Sequence, residues 1–512
     1  MPDLNKALQI FSREGEEKVT KTKANNLNLP YVNLVGYAFT PDVLSIIPKE
    51  TAQEQKVVSF YKMNEQVKVA TSTPENPVLI QKLKELSSAT NFKFYLYLCS
   101  ETSMRYGLAQ LEFIKAAPQT LSRHVISDEY VKSNFGAAQD LKSIGRKIVD
   151  TETSEVLDIV FAGAIHLDAS DIHIEPIEEG ARLRFRIDGM LQDIANLPKE
   201  TFSAAISRIK YLSKLKMNIA NEPQDGRFDI QIASQNIDVR VSIIPGAYGE
   251  VTVMRLLNPS GAIISLEQLG FNARAMADIE AAIKKPNGAI FNTGPTGSGK
   301  TTTLYGILQK LNKPEVKIIT LEDPIEYRIE GIDQSQINPD AGYDFASGLK
   351  HALRQDPDIV MVGEIRDKET AETALQASLT GHLVLTTLHT NSAPSSIPRL
   401  IDIGVRPFLL SGSINLIIAQ RLVRKACPTC KGQAGNMTCP VCKGMGFKGR
   451  VAIIETLKIT PKIDELIAKK ATVSEFEKVA REDGMIAMFE DGMEKVRQGI
   501  TTEEEVGRVA AA

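Results

Sequence analysis

The sequence predicts a multi-domain α/β protein whose C-terminal half is built on a parallel sheet. Three observations carry that prediction. Gly294-Pro-Thr-Gly-Ser-Gly-Lys300-Thr301 follows the apolar run Ala289-Ile-Phe291 and precedes a helical stretch. Further apolar runs at 318–321, 359–362 and 383–385 end in polar residues and alternate with helical segments, as buried parallel strands do. At 512 residues the chain is too long for one hydrophobic core and suggests three or four domains.

Composition narrows the function classes. An apolar content of 43% and a charged content of 24% are those of an ordinary globular protein. Sixty basic and 63 acidic residues leave a net charge of -3, so no global field draws the chain onto nucleic acid or membrane. No apolar run approaches the roughly 18–20 residues of a membrane span, and the N-terminus lacks a signal peptide's apolar core. The expectation is a soluble, cytoplasmic protein that meets a membrane only through partners. Five cysteines are too few for a disulfide scaffold, and Cys99, in an apolar stretch, reads as a small buried hydrophobe.

Residues 1–120 read as a small α/β domain, with β-like runs at 57–61, 67–70 and 92–98 and a helix near 79–86. This region shows no nucleophile, metal cluster or glycine-rich loop, which suits docking or regulation. Residues 121–150 are polar and weakly periodic and read as a linker. A second domain at 151–262 opens with an amphipathic helix carrying Val156, Leu157, Val160 and Ile165. Its strand 181–187 alternates apolar residues with arginine and closes on the hairpin signal Asp188-Gly189. The pattern predicts helices on a mostly antiparallel sheet. The third domain is 263–512, where ligands are expected beyond the carboxyl ends of the strands.

Gly294–Thr301 satisfies the phosphate-loop pattern at every fixed position. Backbone N–H groups of Gly294, Pro295, Thr296, Gly297, Ser298 and Gly299 would cradle phosphate oxygens, proline excepted for want of an N–H. Lys300 would reach the β- and γ-phosphates, and the Thr301 hydroxyl would take a position on Mg²⁺. Thr302 opens the helix whose positive end faces the same anion. At the other strand ends, Glu326 and Glu364 are candidates for activating water, with Glu364 also supporting the magnesium shell, and His389 for sensing the γ-phosphate. A lone carboxylate at a strand end is more often a helix cap. Three such strands converging on one phosphate loop favour chemistry.

These segments resemble a known family. Gly294–Tyr305, Thr320–Tyr327, Arg354–Asp367 and Thr380–His389 are similar to the Walker A, Asp, Walker B and His boxes of the secretion-superfamily ATPases. Those are hexameric motors of type II secretion and type IV pili. Ala169–Pro176, Pro223–Arg227, Arg450–Glu455 and Asp491–Thr501 extend the likeness, which runs from about residue 25 to the C-terminus. The resemblance implies a RecA-like ATPase domain hydrolysing ATP, with Lys300, Glu326, Glu364 and His389 as the catalytic residues. It further implies that Arg227, Arg240 and Arg255 of the second domain reach the nucleotide. Gly363 stands where many phosphate-loop enzymes carry aspartate, which is usual in this family, and Ala220-Asn-Glu replaces an arginine-rich form common in relatives.

Cys427-Pro-Thr-Cys430 and Cys439-Pro-Val-Cys442 form C-x₂-C-x₈-C-x₂-C, a spacing suited to one tetrahedral Zn²⁺. A redox dithiol pair is the alternative, disfavoured because neither pair adjoins a thioredoxin-like unit. Arg421, Arg424, Lys425, Lys431, Lys443, Lys448 and Arg450 surround the motif, so nucleic-acid binding is also open, although only Phe447 is there to stack on a base. In the resembling family a tetracysteine site and an N-terminal domain mark assembly and export motors rather than retraction motors. The resemblance therefore implies a homo-hexamer on the inner face of the cytoplasmic membrane, docked by its N-terminal domain on inner-membrane assembly proteins. Pilus assembly is preferred over type II secretion. No direct nucleic-acid contact and no cyclic-di-GMP ligand are expected. A DNA-dependent motor and a non-catalytic nucleotide-gated scaffold are the rival readings.

Overall fold

The computed structural model describes residues 15–37, 39, 41–63, 65–90, 92–114, 123–135, 141–153, 155–232, 235–257, 265–433 and 439–510. Seventeen named strands form three sheets among these residues. The N-terminal sheet holds β1 (Val57–Met63), β2 (Gln66–Thr71) and β3 (Lys93–Leu98), with β1 and β2 antiparallel and β2 and β3 parallel. Cys99 is buried in the core of this unit, and burial pushes its thiol well above the usual range.

The second sheet has the order β4-β8-β9-β10-β5-β6-β7. Its members are β4 (Arg123–Ile126), β5 (Ala169–Ile177), β6 (Gly180–Ile187), β7 (Met190–Pro198), β8 (Gln224–Ile232), β9 (Gln235–Gly246) and β10 (Gly249–Leu257). All pairs are antiparallel except β4 with β8. Asp188 and Gly189 both take positive φ in the tight β6–β7 turn, as a two-residue hairpin requires.

The stretch read as a linker belongs to this second unit. β4 pairs with β8, and the helix Leu141–Asp150 buries Ile144 and Ile148 in the same core. Gly145 lets that helix lie directly on β7, since a Cβ there would fall 2.1 Å from the Ile194 carbonyl oxygen. Residues 121–122 and 136–140 of that stretch lie outside the described residues.

The third sheet runs β13-β12-β14-β15-β11-β16-β17. Its strands are β11 (Gly288–Thr293), β12 (Ile318–Glu322), β13 (Asp333–Gln336), β14 (Ile359–Val362), β15 (Leu383–Leu388), β16 (Ile414–Ala426) and β17 (Phe447–Lys458). Every neighbouring pair is parallel except β16 with β17. Alternate residues serve two layers. Ile290 packs with Leu304, Ile307 and Leu308 of the helix Lys300–Leu311, while Ala289 and Phe291 pack with Leu375 and Leu410 on the other face. Each buried leucine, isoleucine or phenylalanine among them contributes about 1.5–3 kcal/mol by leaving water. This double cover explains the uninterrupted apolar runs and brings the ends of β11, β12, β14 and β15 to one edge.

Candidate nucleotide site and cysteine cluster

The phosphate loop joins β11 to the helix Lys300–Leu311. Gly297 (φ 78°) and Gly299 (φ 86°) occupy the left-handed region, and a Cβ on Gly299 would fall 2.8 Å from Gln420 Nε2. The loop is braced from below. Thr303 Oγ1 donates to Gln420 Oε1 at 2.6 Å, and Asn292 Nδ2 donates to the Lys300 carbonyl at 3.2 Å. Lys300 Nζ donates to the carbonyls of Gly294 at 2.7 Å and Pro295 at 3.1 Å. Burial pulls the Lys300 pKa down to about 8, against the opposing pull of the Glu364 carboxylate. Thr301 is exposed in the first helical turn, with Thr302 beside it.

Glu364 follows the end of β14. It pairs with Arg366 at 2.5 Å and lies 3.5 Å from His389 Nε2. Lys300, Glu364 and His389 therefore converge from β11, β14 and β15. Asp367, in the same segment, is a helix cap, its Oδ1 accepting the Thr370 N–H at 2.8 Å. Glu326 faces the second domain. Arg240 Nη1 lies 3.8 Å from Glu326 Oε2, and Arg240 Nη2 donates to the Ile325 carbonyl at 3.1 Å. Tyr327 packs edge-on against Tyr305 at 4.6 Å, and Tyr305 donates to the buried Glu322, which fixes the loop carrying Glu326 to the helix after the phosphate loop.

Arg227, Arg240 and Arg255 occupy one row across β8, β9 and β10, since Arg240 registers with both of the others. The row continues through Asp171 on β5, which accepts from Arg255 Nε at 3.0 Å. Of the three, Arg240 makes the contact with the ATPase domain; Arg255 is paired within its own sheet and Arg227 is exposed. Like charges side by side repel, and here Asp238, Glu326 and Asp171 offset part of that repulsion at Arg240 and Arg255.

In sequence Arg421 stands among the basic residues around the cysteines. It instead lies beside the phosphate loop, where a Cβ on Gly294 would fall 3.2 Å from its Nη1. Burial holds its guanidinium below the usual arginine range. Sequence reasoning missed it because the β16–β17 hairpin was not recognised as part of the sheet.

That hairpin carries the cysteine loop at its far end. All four cysteines are buried, with Sγ atoms of Cys427 and Cys439 3.6 Å apart and those of Cys430 and Cys442 3.4 Å apart. A Zn–S bond of about 2.3 Å spaces tetrahedral sulfurs about 3.8 Å apart, so the donor set fits the ion. Burial disfavours thiolates, yet at Cys427 the backbone amides of Cys430 and Thr429 outweigh it and hold the thiol low. Residues 434–438, between the pairs, lie outside the described residues.

Part of the basic surroundings is engaged with protein, while Lys425, Lys431 and Arg450 are exposed. Lys448 pairs with Asp168 at 2.5 Å, Lys443 Nζ meets His166 Nε2 at 2.6 Å, and Gly449 N–H donates to Asp188 at 2.8 Å. Arg424 stacks over Phe447 at 4.1 Å, leaving that ring covered rather than presented to a base.

Residues 149–508 match the family described as Type II/IV secretion system protein, and residues 27–113 match the MshEN domain. The chain belongs to the type II/IV secretion system protein family. It is 36% identical over 518 aligned residues to the type IV pilus assembly ATPase PilB of Myxococcus xanthus, covering 96% of this chain and 90% of that one. It is 39% identical to the type II secretion system protein E of Dickeya dadantii, covering 92% and 98%. The Legionella pneumophila ATPase DotB superposes with a TM-score of 0.55 at 25% identity, over 71% of this chain and 97% of that chain. As a member of this family the protein is an ATP hydrolase, and the family implies ATP with Mg²⁺. No helix among the described residues is long and apolar enough to cross a membrane.

Proposed function

We propose that this protein is the cytoplasmic hexameric ATPase of a type IV pilus assembly machine, docked through its N-terminal domain on inner-membrane assembly proteins. The convergence of Lys300, Glu364 and His389 at one sheet edge supports the ATPase mechanism. The pilus reading draws on the near full-length similarity to the Myxococcus pilus assembly ATPase. Type II secretion is the second reading, favoured by the comparable coverage of the Dickeya protein.

In this mechanism the backbone amides of Thr296–Thr301 and the Lys300 ammonium hold the phosphates. Thr301 and Glu364 would hold Mg²⁺, which neutralises charge on the β- and γ-oxygens when bound. Glu364 takes the proton of the water that attacks the γ-phosphorus as the bond to the ADP oxygen breaks. His389, 3.5 Å from Glu364, reports the state of the γ-phosphate to its loop. Glu326 orients water from the side facing Arg240, and the row Arg227, Arg240 and Arg255 brings positive charge as the second domain closes. Zn²⁺ on Cys427, Cys430, Cys439 and Cys442 would be structural, tying the hairpin end together.

The test is ATPase activity across a gel-filtration profile for the wild type and Glu364→Gln, with and without DNA. Activity in a hexamer-sized peak, reduced roughly 10²–10⁴-fold in the variant and indifferent to DNA, is expected. Activity in a monomer peak that rises with DNA overturns the reading. Deletion of the gene separates the two machines: loss of surface pili with protein export intact supports the first reading, and the converse supports the second.

A further inference from the structure

His389 follows the end of β15 in a segment, 389–395, that has no regular structure to hold it before the helix Ser396–Asp402 begins. Three side chains from other strands fasten that segment. Thr293, the last residue of β11, accepts the Thr390 N–H through Oγ1 at 2.8 Å. Arg421 of β16 donates from Nη2 to the Asn391 carbonyl at 3.0 Å. Glu455 of β17 accepts the Ala393 N–H through Oε1 at 2.7 Å, and its other oxygen accepts the Met488 N–H at 3.1 Å.

Arg421 and Glu455 share one face of the hairpin. Ala419 is the partner of Glu455 and Arg421 that of Ile453, so the two charged residues are diagonal neighbours. Each is electrostatically favoured by the other. The arginine also lies against the phosphate loop, its Nη1 3.2 Å from where a Cβ on Gly294 would fall. Its Nη1 donates to the Gln420 carbonyl at 3.1 Å, the oxygen that a Cβ on Gly294 would approach to 2.6 Å. One guanidinium thus spans from the first glycine of the phosphate loop to the segment carrying His389.

We infer that Arg421 and Glu455 are positioning residues for His389, setting its distance from the phosphate loop without touching the nucleotide themselves. The inference rests on His389 acting at the γ-phosphate. A misplacement of about 1 Å in a reacting group costs on the order of 10²-fold in rate. Glutamine at 455 offers one acceptor oxygen where the two N–H groups of Ala393 and Met488 need two, so one of them loses its partner.

The experiment measures kcat, the KM for ATP and the Kd for ADP in the full-length protein. The variants are Arg421→Gln, Arg421→Lys, Glu455→Gln, His389→Gln and the double variant Arg421→Gln with His389→Gln. Arg421→Gln and Glu455→Gln should each lower kcat roughly tenfold while KM and the ADP Kd stay within about twofold. Arg421→Lys, which keeps one donor to the Asn391 carbonyl, should recover most of the loss. The double variant should be no slower than His389→Gln alone, because both act through one side chain.

Multiplicative losses in the double variant, or weakened ADP binding in step with kcat, overturn the positioning role. An active His389→Gln enzyme sinks the underlying reading of His389 and this inference with it. A slow His389→Gln enzyme beside an unaffected Arg421→Gln enzyme refutes the inference alone. Elution at the wild-type volume separates these outcomes from misfolding, and the lysine variant keeps the test alive if glutamine at 421 fails to fold.

Discussion

In the C-terminal sheet Glu364 and His389 follow the ends of strands and Lys300 opens the helix after the loop of β11, whereas in the second sheet Arg227, Arg240 and Arg255 lie within strands and meet through register. Parallel strands all finish at one edge, so residues that follow apolar runs become neighbours whatever their separation in sequence. Antiparallel strands gather residues only by which pair faces which, and a slip of one position would turn each arginine to the opposite face. Chemistry at a parallel edge is therefore tolerant of small shifts in strand length. The row of three arginines across an antiparallel sheet depends on two strand registers at once.

That contrast predicts a hierarchy of effects. The largest belongs to the strand-end group. Lys300→Ala should lower ATP turnover by at least roughly a hundredfold and weaken ADP binding by direct titration. Turnover within a few-fold of wild type would show that the edge residues do not form the reacting site.

Within the arginine row the losses should be unequal. Arg240→Ala, which removes the contact to Glu326 and Ile325, should cost about tenfold in kcat. Arg255→Ala should cost less, since its carboxylate partner Asp171 belongs to the same sheet, and Arg227→Ala least. Equal losses for all three, measured at saturating ATP, would mean that the row acts as a unit and that the Arg240 contact has no special weight.

The smallest effect is one of pH. In the free protein Lys300 titrates at about 8, pulled below the usual 10.5 by burial, and phosphate binding favours its charged form. Below pH 8 the lysine is already charged and contributes no pH dependence. Between pH 8 and 8.5 binding must take up a proton, so nucleotide affinity should fall about twofold. Calorimetry in two buffers of different ionisation enthalpy reads that proton directly. Arginines remain charged across this window, so a Lys300→Arg variant should lose the dependence.

Legibility followed the same division. The phosphate loop, the apolar runs of β11, β12, β14 and β15 and the cysteine spacing were readable because each is a local pattern with a chemical reason. The stretch 121–150 was misread because the helix Leu141–Asp150 buries only a narrow stripe, Ile144 and Ile148, amid charged residues. The spacing of Leu141, Ile144 and Ile148 was the signal available, and Gly145 its unexplained companion. Arg421 was misassigned for another reason. Its neighbours in sequence are basic and lead to the cysteines, while its neighbours in space are Gly294 and Asn391.

The sequence by itself determined the α/β class of the ATPase domain, the glycine-rich loop after β11 and the four-thiol set, because glycine spacing, strand hydropathy and cysteine spacing act within a few residues. Only the tertiary structure decided that Glu326 meets Arg240, that three arginines form a row, and that a distant hairpin fastens the segment of His389. Those arrangements depend on strand order and register. Strand order and register are chosen by the packing of whole layers, and no short stretch of sequence encodes them.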